Sequence, residues 1–362
     1  MGIISLYEKT ENLFFVGGIV RDELLGKNSP DIDLTFVGNA VDFAKTLDFE
    51  ITQINEEFGS VHLKIDDKTV DITSTRTENY PKKGHLPVVD KIGCTLKEDV
   101  LRRDFTVNAL AKNCKTGEIT DYVGGIEDLK NKELRILHKN SFIDDPTRIL
   151  RGLKFSVRFG FELEENTQKL QEEYLQDVNY DMSFKRLKDE LKDAFNVDKQ
   201  EVLNKFISQK IYKLLSKKEY RPYLCNVEEF IKPYKNEIQN TWLIYSSGFD
   251  LSNLPLTKAE NKILEDYYKM ENLSDFELFK QFSASNIESV LIYGILNNPT
   301  AAKDFLGKQR KIKLQISGKD LLELGYEQSK KISEALDKIL KIKLDNPDLT
   351  KDEELEIARR YM

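Results

Sequence analysis

LFFVGGIVRDELLGKNSPDIDL, residues 13–34, contains an apolar strand, a Gly17-Gly18 turn, a helix start carrying Arg21 and Asp22, and then Asp31 and Asp33 separated by one apolar residue. Residues i and i+2 of a β-strand project from one face, so Asp31 and Asp33 present two carboxylates together. A divalent cation between them would relieve their repulsion. Hard oxygen ligands of this kind suit Mg²⁺, which keeps several waters and takes the rest of its shell from substrate phosphates. Gly17-Gly18 lets the backbone approach an anion closely, and the helix behind it aims free N–H groups and its positive dipole end at the same place. Apolar Ile32, Leu34 and Phe36 alternate with Asp31, Asp33 and Thr35, the pattern of a strand with one buried face. Taken alone, each motif is more often just a turn than a functional site. Their order as strand, glycine turn, helix and strand points to a site for a nucleoside triphosphate with Mg²⁺.

At 362 residues the chain is long enough for two or more domains. Fifty-five basic against sixty-two acidic residues give a formal charge of −7, which excludes a global polycation and leaves nucleic-acid contact to a local basic face. Cys94, Cys114 and Cys225 are odd in number and form no C-x-x-C pair, which argues against a disulfide framework and a structural zinc site and for core thiols in a reducing cytoplasm. MGIISLYEKT lacks the basic-then-apolar run of a signal peptide, and no stretch approaches eighteen apolar residues. The expectation is a soluble cytoplasmic protein that does not enter a membrane. His62, His85 and His138 are the only histidines and none forms a His-Asp doublet, which excludes a histidine-metal phosphohydrolase module.

Up to about residue 125, β-rich runs such as VHLKID and TVDITST mix with glycine turns, as in an α/β head. After about residue 140, helical 3.6-residue periodicity takes over in ILRGLKFSVRF, FKRLKDELKDAF and SKKISEALDKILKIKL. NKELR, NVDKQ and NNPT guide boundaries near 130, 200 and 300.

Asp71 in Val70-Asp71-Ile72 either brings a third carboxylate to the metal site or pairs on the surface with Lys68 or Arg76. Arg102-Arg103-Asp104 precedes FTVNALA, which reads as an apolar helix with Asp104 as its cap. Functionally, the guanidinium groups would clamp phosphate oxygens while Asp104 accepts a hydrogen bond from a ribose hydroxyl. Asp121-Tyr122-Val123-Gly124-Gly125 with Asp128 reads as a turn-then-helix linker. In Asp144-Asp145-Pro146-Thr147-Arg148, Asp145 serves as a helix cap with proline at the first helical position. Asp145 and Arg148 are also three apart on one face, an acceptor beside a donor. Cytosine and adenine share an exocyclic amino donor next to a ring-nitrogen acceptor, which such a pair complements; uracil and guanine present the reverse order and leave it mismatched.

In GGIVRD with DID, VDITSTR, EDVLRRDFTVNALA, DYVGGIEDL, DDPTRILRGLKFSVRFGF and SFKRLKDEL, in order through residue 191, the chain resembles the class II tRNA nucleotidyltransferases, the CCA-adding enzyme and poly(A) polymerase group of the DNA polymerase β superfamily. The resemblance implies an α+β, seahorse-shaped chain: a small mixed β-sheet nucleotidyltransferase head of five strands (1–130), then an all-helical neck (131–200), body (201–300) and tail (301–362). Asp31 and Asp33 would hold two Mg²⁺ ions, one lowering the pKa of the RNA 3′-hydroxyl for attack on the α-phosphate and one neutralising the departing pyrophosphate. Asp71 falls on the family's third acidic residue. Gly17, Gly18, Arg21 and Asp22 match the triphosphate-cradling turn, and Arg103 and Asp104 the ribose and phosphate contacts. Asp145 and Arg148 match the base-reading pair with Asp144 as supporting acid, and Arg151 and Arg158 are further triphosphate or neck candidates. Two departures stand out: Lys185 replaces an acid before Arg186, removing the neck salt bridge that acid would make, and Asp144 replaces a glutamate.

The resemblance further implies ATP and CTP as substrates and tRNA as partner, held at its 3′ end and elbow. ISGKDLLELG (316–325) resembles the elbow-holding tail motif, and the basic run GKQRKIK before it suits phosphate contacts. CC-adding relatives lack a flexible loop between the carboxylate strands and the RRD motif; ENYPKKGHLPVVDKIG (78–93) fills that gap and favours CCA addition. Its YPxxGxLP form is also that of some A-adding members, so addition of A alone is the alternative. A poly(A) polymerase would carry a longer basic C-terminus. A catalytically dead RNA-binding relative would have lost Asp31 or Asp33, and a small-molecule nucleotidyltransferase would leave the helical regions without a substrate.

Overall fold

A computed structural model describes residues 3–28, 32–66, 68–327 and 330–362. The chain divides into two compact units, residues 1–219 with 250–255, and residues 220–249 with 256–362. The fold class is α+β, as expected.

The first unit is built on a seven-stranded mixed sheet among the described residues. Its strands are β1 (Leu13–Val16), β2 (Asp33–Phe36), β3 (Glu50–Asn55), β4 (Ser60–Ile65), β5 (Lys68–Ser74), β8 (Leu110–Asn113) and β9 (Ile119–Asp121), in the order β3-β4-β5-β2-β1-β8-β9; β6 (Arg76–Asn79) and β7 (Val88–Ile92) form a separate antiparallel pair. The five strands implied by the resemblance are too few. One strand, β8, comes from the segment expected as an apolar helix. Asp104 Oδ1 takes the Phe105 N–H at 2.8 Å, only a single 3₁₀ turn follows (Thr106–Asn108), and the chain then pairs with β1. Strand pairing overrides the local pattern there. The expected flexible loop is also different, since β6 and β7 make most of it a hairpin.

Both faces of the sheet are covered, and alternation along the strands assigns residues to each. Leu13, Phe15, Leu34 and Ile72 join one apolar cluster with Val61 and Leu63, whereas Phe14 and Val16 pack with Val100, Ala109 and Ala111 on the other side. Around the sheet lie α1 (Ile3–Tyr7), α2 (Gly18–Leu24), α3 (Ala40–Lys45), α4 (Leu96–Leu101) and α5 (Gly125–Asn131). Asp121 stops β9 and starts α5 by accepting the N–H groups of Val123, Gly124, Gly125 and Ile126, so the DYVGG segment is a cap, as the linker reading expects. The helices α6 (Ser141–Asp144), α7 (Thr147–Phe159), α8 (Glu165–Gln176), α9 (Phe184–Phe195) and α10 (Lys199–Ser208) follow. Pro146 sits at the N-cap of α7, one position earlier than expected, and Asp145 Oδ1 still accepts the Thr147 N–H at 3.2 Å.

The second unit is helical among its described residues: α11 (Val227–Ile231), α12 (Thr241–Ser246), α13 (Lys258–Tyr268), α14 (Asp275–Ala284), α15 (Ile287–Leu296), α16 (Pro299–Gly307), α17 (Gly318–Glu323), α18 (Lys330–Asp345) and α19 (Lys351–Arg360). Apolar on nearly every side, α15 is its core helix, and Gly294 lets Phe230 and Ala302 approach it closely. The last three helices close over Leu321, Ile339 and Ala358, where Lys343 and Glu354 form a buried ion pair and Glu354 also accepts the Gln315 and Ile316 N–H groups. No helix among the described residues is long and apolar enough to cross a membrane.

Candidate active site

Antiparallel pairing of β1 with β2 runs Leu13↔Phe36, Phe14↔Thr35, Phe15↔Leu34, and its continuation sets Asp33 opposite Val16, one residue before Gly17. Parallel pairing of β2 with β5 puts Asp33 beside Asp71. The two carboxylates therefore share one end of the sheet, on the face opposite the larger apolar cluster, next to the glycine turn. Asp31 lies outside the described residues. Asp71 pairs with neither Lys68 nor Arg76. His62, its cross-strand neighbour, has Nε2 3.8 Å from Asp71 Oδ1, too far for a hydrogen bond, and that oxygen is buried without a partner. An orphaned, ionisable oxygen beside a second carboxylate fits a divalent cation.

Gly17 has φ +70°, and a Cβ there would lie 2.9 Å from Arg103 Nη1, so only glycine lets turn and guanidinium meet. Arg103 Nη2 is anchored on Asp99 Oδ2 at 3.1 Å, while its Nε is buried without a partner. Burial pulls the Arg103 guanidinium below its ordinary pKa, with Asp99 opposing the shift. Arg21 is buried as well: its Nε and Nη2 hold Asp22 Oδ1 at 2.9 and 2.7 Å, Nη1 donates to Asn108 Oδ1, and Phe155 and Phe159 flank its guanidinium. Asp22 stands behind Arg21, 3.6 Å from Arg158 Nη2.

Asp104 uses Oδ1 for Phe105 N–H and Asn108 Nδ2 (2.9 Å) and Oδ2 for Arg151 Nε (2.8 Å). Burial alone would raise its pKa; the Arg151 charge and these hydrogen bonds outweigh burial and hold it at about 2. Arg151 reaches on to Glu190 at 3.1 Å, and its own pKa is raised, chiefly by Asp104.

Asp145 and Arg148 are both buried. Asp145 Oδ2 meets Arg186 Nη2 at 2.6 Å and Oδ1 meets Thr147 Oγ1 at 2.6 Å. Arg148 donates to Ser141 Oγ, to Tyr80 OH (3.3 Å) and to the Arg102 carbonyl (3.0 Å). Asp144 points elsewhere: its carboxylate takes Lys83 Nζ at 2.6 Å and its carbonyl takes the Gly84 N–H at 3.0 Å, both from the β6–β7 hairpin.

One cavity of about 580 Å³ joins the arginine groups to the Asp145–Arg148 pair but is not lined by Asp33 or Asp71, with Gly17, Gly18 and Arg103 at one end and Asp145, Arg148 and Arg186 at the other. Nine cationic side chains and four carboxylates line it, a surplus of five positive charges in a chain of net charge −7. Asp22 and Asp144 are not in its lining. Several lining residues went unassigned in the sequence: Arg186 and Glu190 stand four apart on α9, a spacing that SFKRLKDEL displays, whereas nothing local in ENYPKKGHLP places Tyr80 against Arg148.

The pattern of the Poly A polymerase head domain matches residues 13–135. The A-adding tRNA nucleotidyltransferase of Halalkalibacterium halodurans is 30% identical over 360 residues, which cover 90% of this chain and 83% of that protein. The chain belongs to the class II tRNA nucleotidyltransferase family. A higher identity, 45% over 164 residues, is found with the A-adding tRNA nucleotidyltransferase of Aquifex aeolicus; this covers 43% of the chain, which spans only about a fifth (20%) of that curated relative. Among solved structures, a CCA-adding enzyme in apo form II matches the family member described here with a TM-score of 0.78 at 26% identity, covering 99% of this chain and 96% of that one. The Thermotoga maritima CCA-adding enzyme complexed with tRNA matches with a TM-score of 0.73 at 25% identity over 98% and 94% of the two chains.

Proposed function

We propose that this protein adds CCA to the 3′ end of tRNA without a nucleic-acid template, transferring CMP and AMP from CTP and ATP. The observation that carries this reading is the cationic cavity that runs from the glycine turn to the Asp145–Arg148 pair, since it accommodates a triphosphate at one end and a base edge at the other. In each cycle the RNA 3′-oxygen forms a bond to the α-phosphorus, the bond from that phosphorus to the β-bridging oxygen breaks, pyrophosphate leaves and the hydroxyl proton is released. Mg²⁺ would be held by Asp31 and Asp33 with Asp71 beside them, and would supply charge neutralisation and a more acidic 3′-hydroxyl. The chain's own groups bind and orient: Gly17, Gly18 and Arg103 receive the triphosphate, with Arg21 and Arg158 alongside, and Asp104 fixes Arg151 at the ribose side. Asp145 and Arg148 accept the edge shared by cytosine and adenine.

The partner reading is supported by the tRNA bound to the Thermotoga maritima neighbour. For this chain, the segment 316–325 and the basic residues Lys308, Arg310, Lys311 and Lys313 are proposed to meet the tRNA elbow. Addition of A alone is the second reading, favoured by the A-adding relative that aligns with nine-tenths of the chain. Labelled nucleotides supplied with Mg²⁺ and tRNA transcripts ending at the discriminator base, at C and at CC separate the two. C, C and A added in turn to all three transcripts supports CCA addition; A added only to the CC-ended transcript overturns it in favour of A addition.

A further inference from the structure

Asp99 belongs to none of the groups assigned above, yet its carboxylate is completely buried on α4, a helix fixed by a Thr95–Glu98 capping box. One oxygen, Oδ1, accepts the Arg76 backbone N–H (3.1 Å) and both Nε (3.0 Å) and Nη2 (2.9 Å) of Arg102. The other, Oδ2, accepts Arg103 Nη2. Arg76 begins the β6 strand of the hairpin, and Glu78 on that strand binds both Arg76 and Arg102. A single carboxylate thus fixes the root of the hairpin and the guanidinium that touches the Gly17 turn. Burial by itself would raise the Asp99 pKa; the Arg103 and Arg102 charges outweigh it, so the group stays ionised.

One Arg103 donor points to a ligand: Nη1 meets the glycine turn, while Nε, on the Nη2 edge of the guanidinium, is buried with nothing to donate to. We propose that Asp99 is a positioning residue for triphosphate binding. It holds the Arg103 guanidinium by Nη2, so that Nη1 is presented to phosphate oxygens arriving at Gly17-Gly18. This rests on the nucleotidyl-transfer reading for the identity of the anion, and on the side-chain geometry for the role of Asp99. Asp99 itself would touch no substrate.

A double-mutant cycle on the full chain tests it, with ATP affinity read by calorimetry in Mg²⁺ and KM and kcat read from A incorporation. Asp99→Asn keeps the shape and the Oδ1 acceptor but turns an amide donor toward Arg103 Nη2. The expected result is an ATP Kd and KM raised about ten- to a hundredfold, as for loss of a charge-assisted hydrogen bond. The same substitution should add little in an Arg103→Gln background, because the residue it positions is gone. Effects that multiply in the double variant would mean a general structural role and overturn the proposal. Arg103→Lys supplies an independent check that does not depend on Asp99→Asn folding: lysine keeps the charge but its single ammonium cannot grip Asp99 and reach the glycine turn at once. It should bind ATP as weakly as Arg103→Gln, and wild-type affinity would overturn the proposal. A wild-type protein that binds ATP but transfers no nucleotide would defeat the functional reading while leaving the role of Asp99 measurable in Kd; one that does not bind ATP would defeat both.

Discussion

The two ends of the cavity are prepared differently. At the glycine-turn end Arg103 Nε is buried with no partner, as is Asp71 Oδ1 on the sheet outside the cavity lining, an arrangement that is costly without a ligand and favourable with one. At the base end the polar groups already have partners: both Asp145 oxygens are engaged by Thr147 and Arg186, and Arg148 is held by Ser141, Tyr80 and the Arg102 carbonyl. In the proposed function a triphosphate or cation would relieve a deficit, whereas a base would have to exchange existing bonds for new ones. That difference teaches where affinity and selectivity reside. Affinity follows from unsatisfied charge. Selectivity would follow from competition, because a base with the wrong edge would break internal bonds and replace none of them.

The largest effect should come from the proposed cation site. Asp33→Asn is expected to lower nucleotide incorporation by about a thousandfold, the loss of several kcal/mol of metal-assisted stabilisation, while leaving tRNA binding nearly intact. Unchanged turnover would remove Asp33 from the metal site. Asp145→Ala probes the other end. Preference for C and A over U and G should fall about ten- to a hundredfold, whereas binding of inorganic triphosphate should not move. Selectivity preserved with only the rate reduced would show that the base end does not choose the nucleotide.

A smaller perturbation approaches the base end through the hairpin. Gly84 has φ +76° and sits between the Asp144 carbonyl and the Ser183 N–H, with Met182 Cβ only 2.8 Å from where its own Cβ would be. Gly84→Ala should loosen this contact by about 1–2 kcal/mol and withdraw Tyr80 from Arg148. A few-fold change in the ATP-to-UTP preference, with pyrophosphate affinity unaltered, is the expected readout; a shift in pyrophosphate binding instead would mean that the two ends are not separable. A last effect leaves nucleotide choice aside and concerns stability and its loss in acid. With its pKa held at about 2 against an ordinary 3.8, Asp104 contributes on the order of 2 kcal/mol above about pH 4, and this is lost as the pH falls toward 2. Urea unfolding of wild type and Asp104→Asn should differ at pH 6 and converge near pH 2; a constant difference across that range would break the assignment.

Much of the site was legible in the sequence because its parts are local. GGIVRD forms a strand end, a positive-φ turn and a helix whose register depends only on nearby residues, and the Asp145–Arg148 pair lies within one turn of chain. The helices in ILRGLKFSVRF and FKRLKDELKDAF follow their periodicity, since each buries one stripe. Errors arose where a distant strand or helix was the arbiter. FTVNALA carries an apolar pattern that suits a helix, but pairing with β1 makes most of its second half a strand. The 78–93 segment looked like a loop because its pairing partner lies within itself and its tip is fixed by α6 and the residues before α9, which no local signal announces.

By itself, then, the sequence determined the α+β class, the glycine turn, the order of the acidic and arginine motifs and membership of the nucleotidyltransferase family. Short-range sterics, hydrophobic period and motif order are written along the chain. Only the tertiary structure decided which carboxylate faces which guanidinium: that Asp99 holds Arg103, that Arg186 rather than a residue at position 185 reaches Asp145, and that Asp144 serves the hairpin instead of the cavity. Charges of either sign are abundant everywhere in the sequence, and which pairs form depends on where packing leaves them buried together, a property of the assembled fold alone.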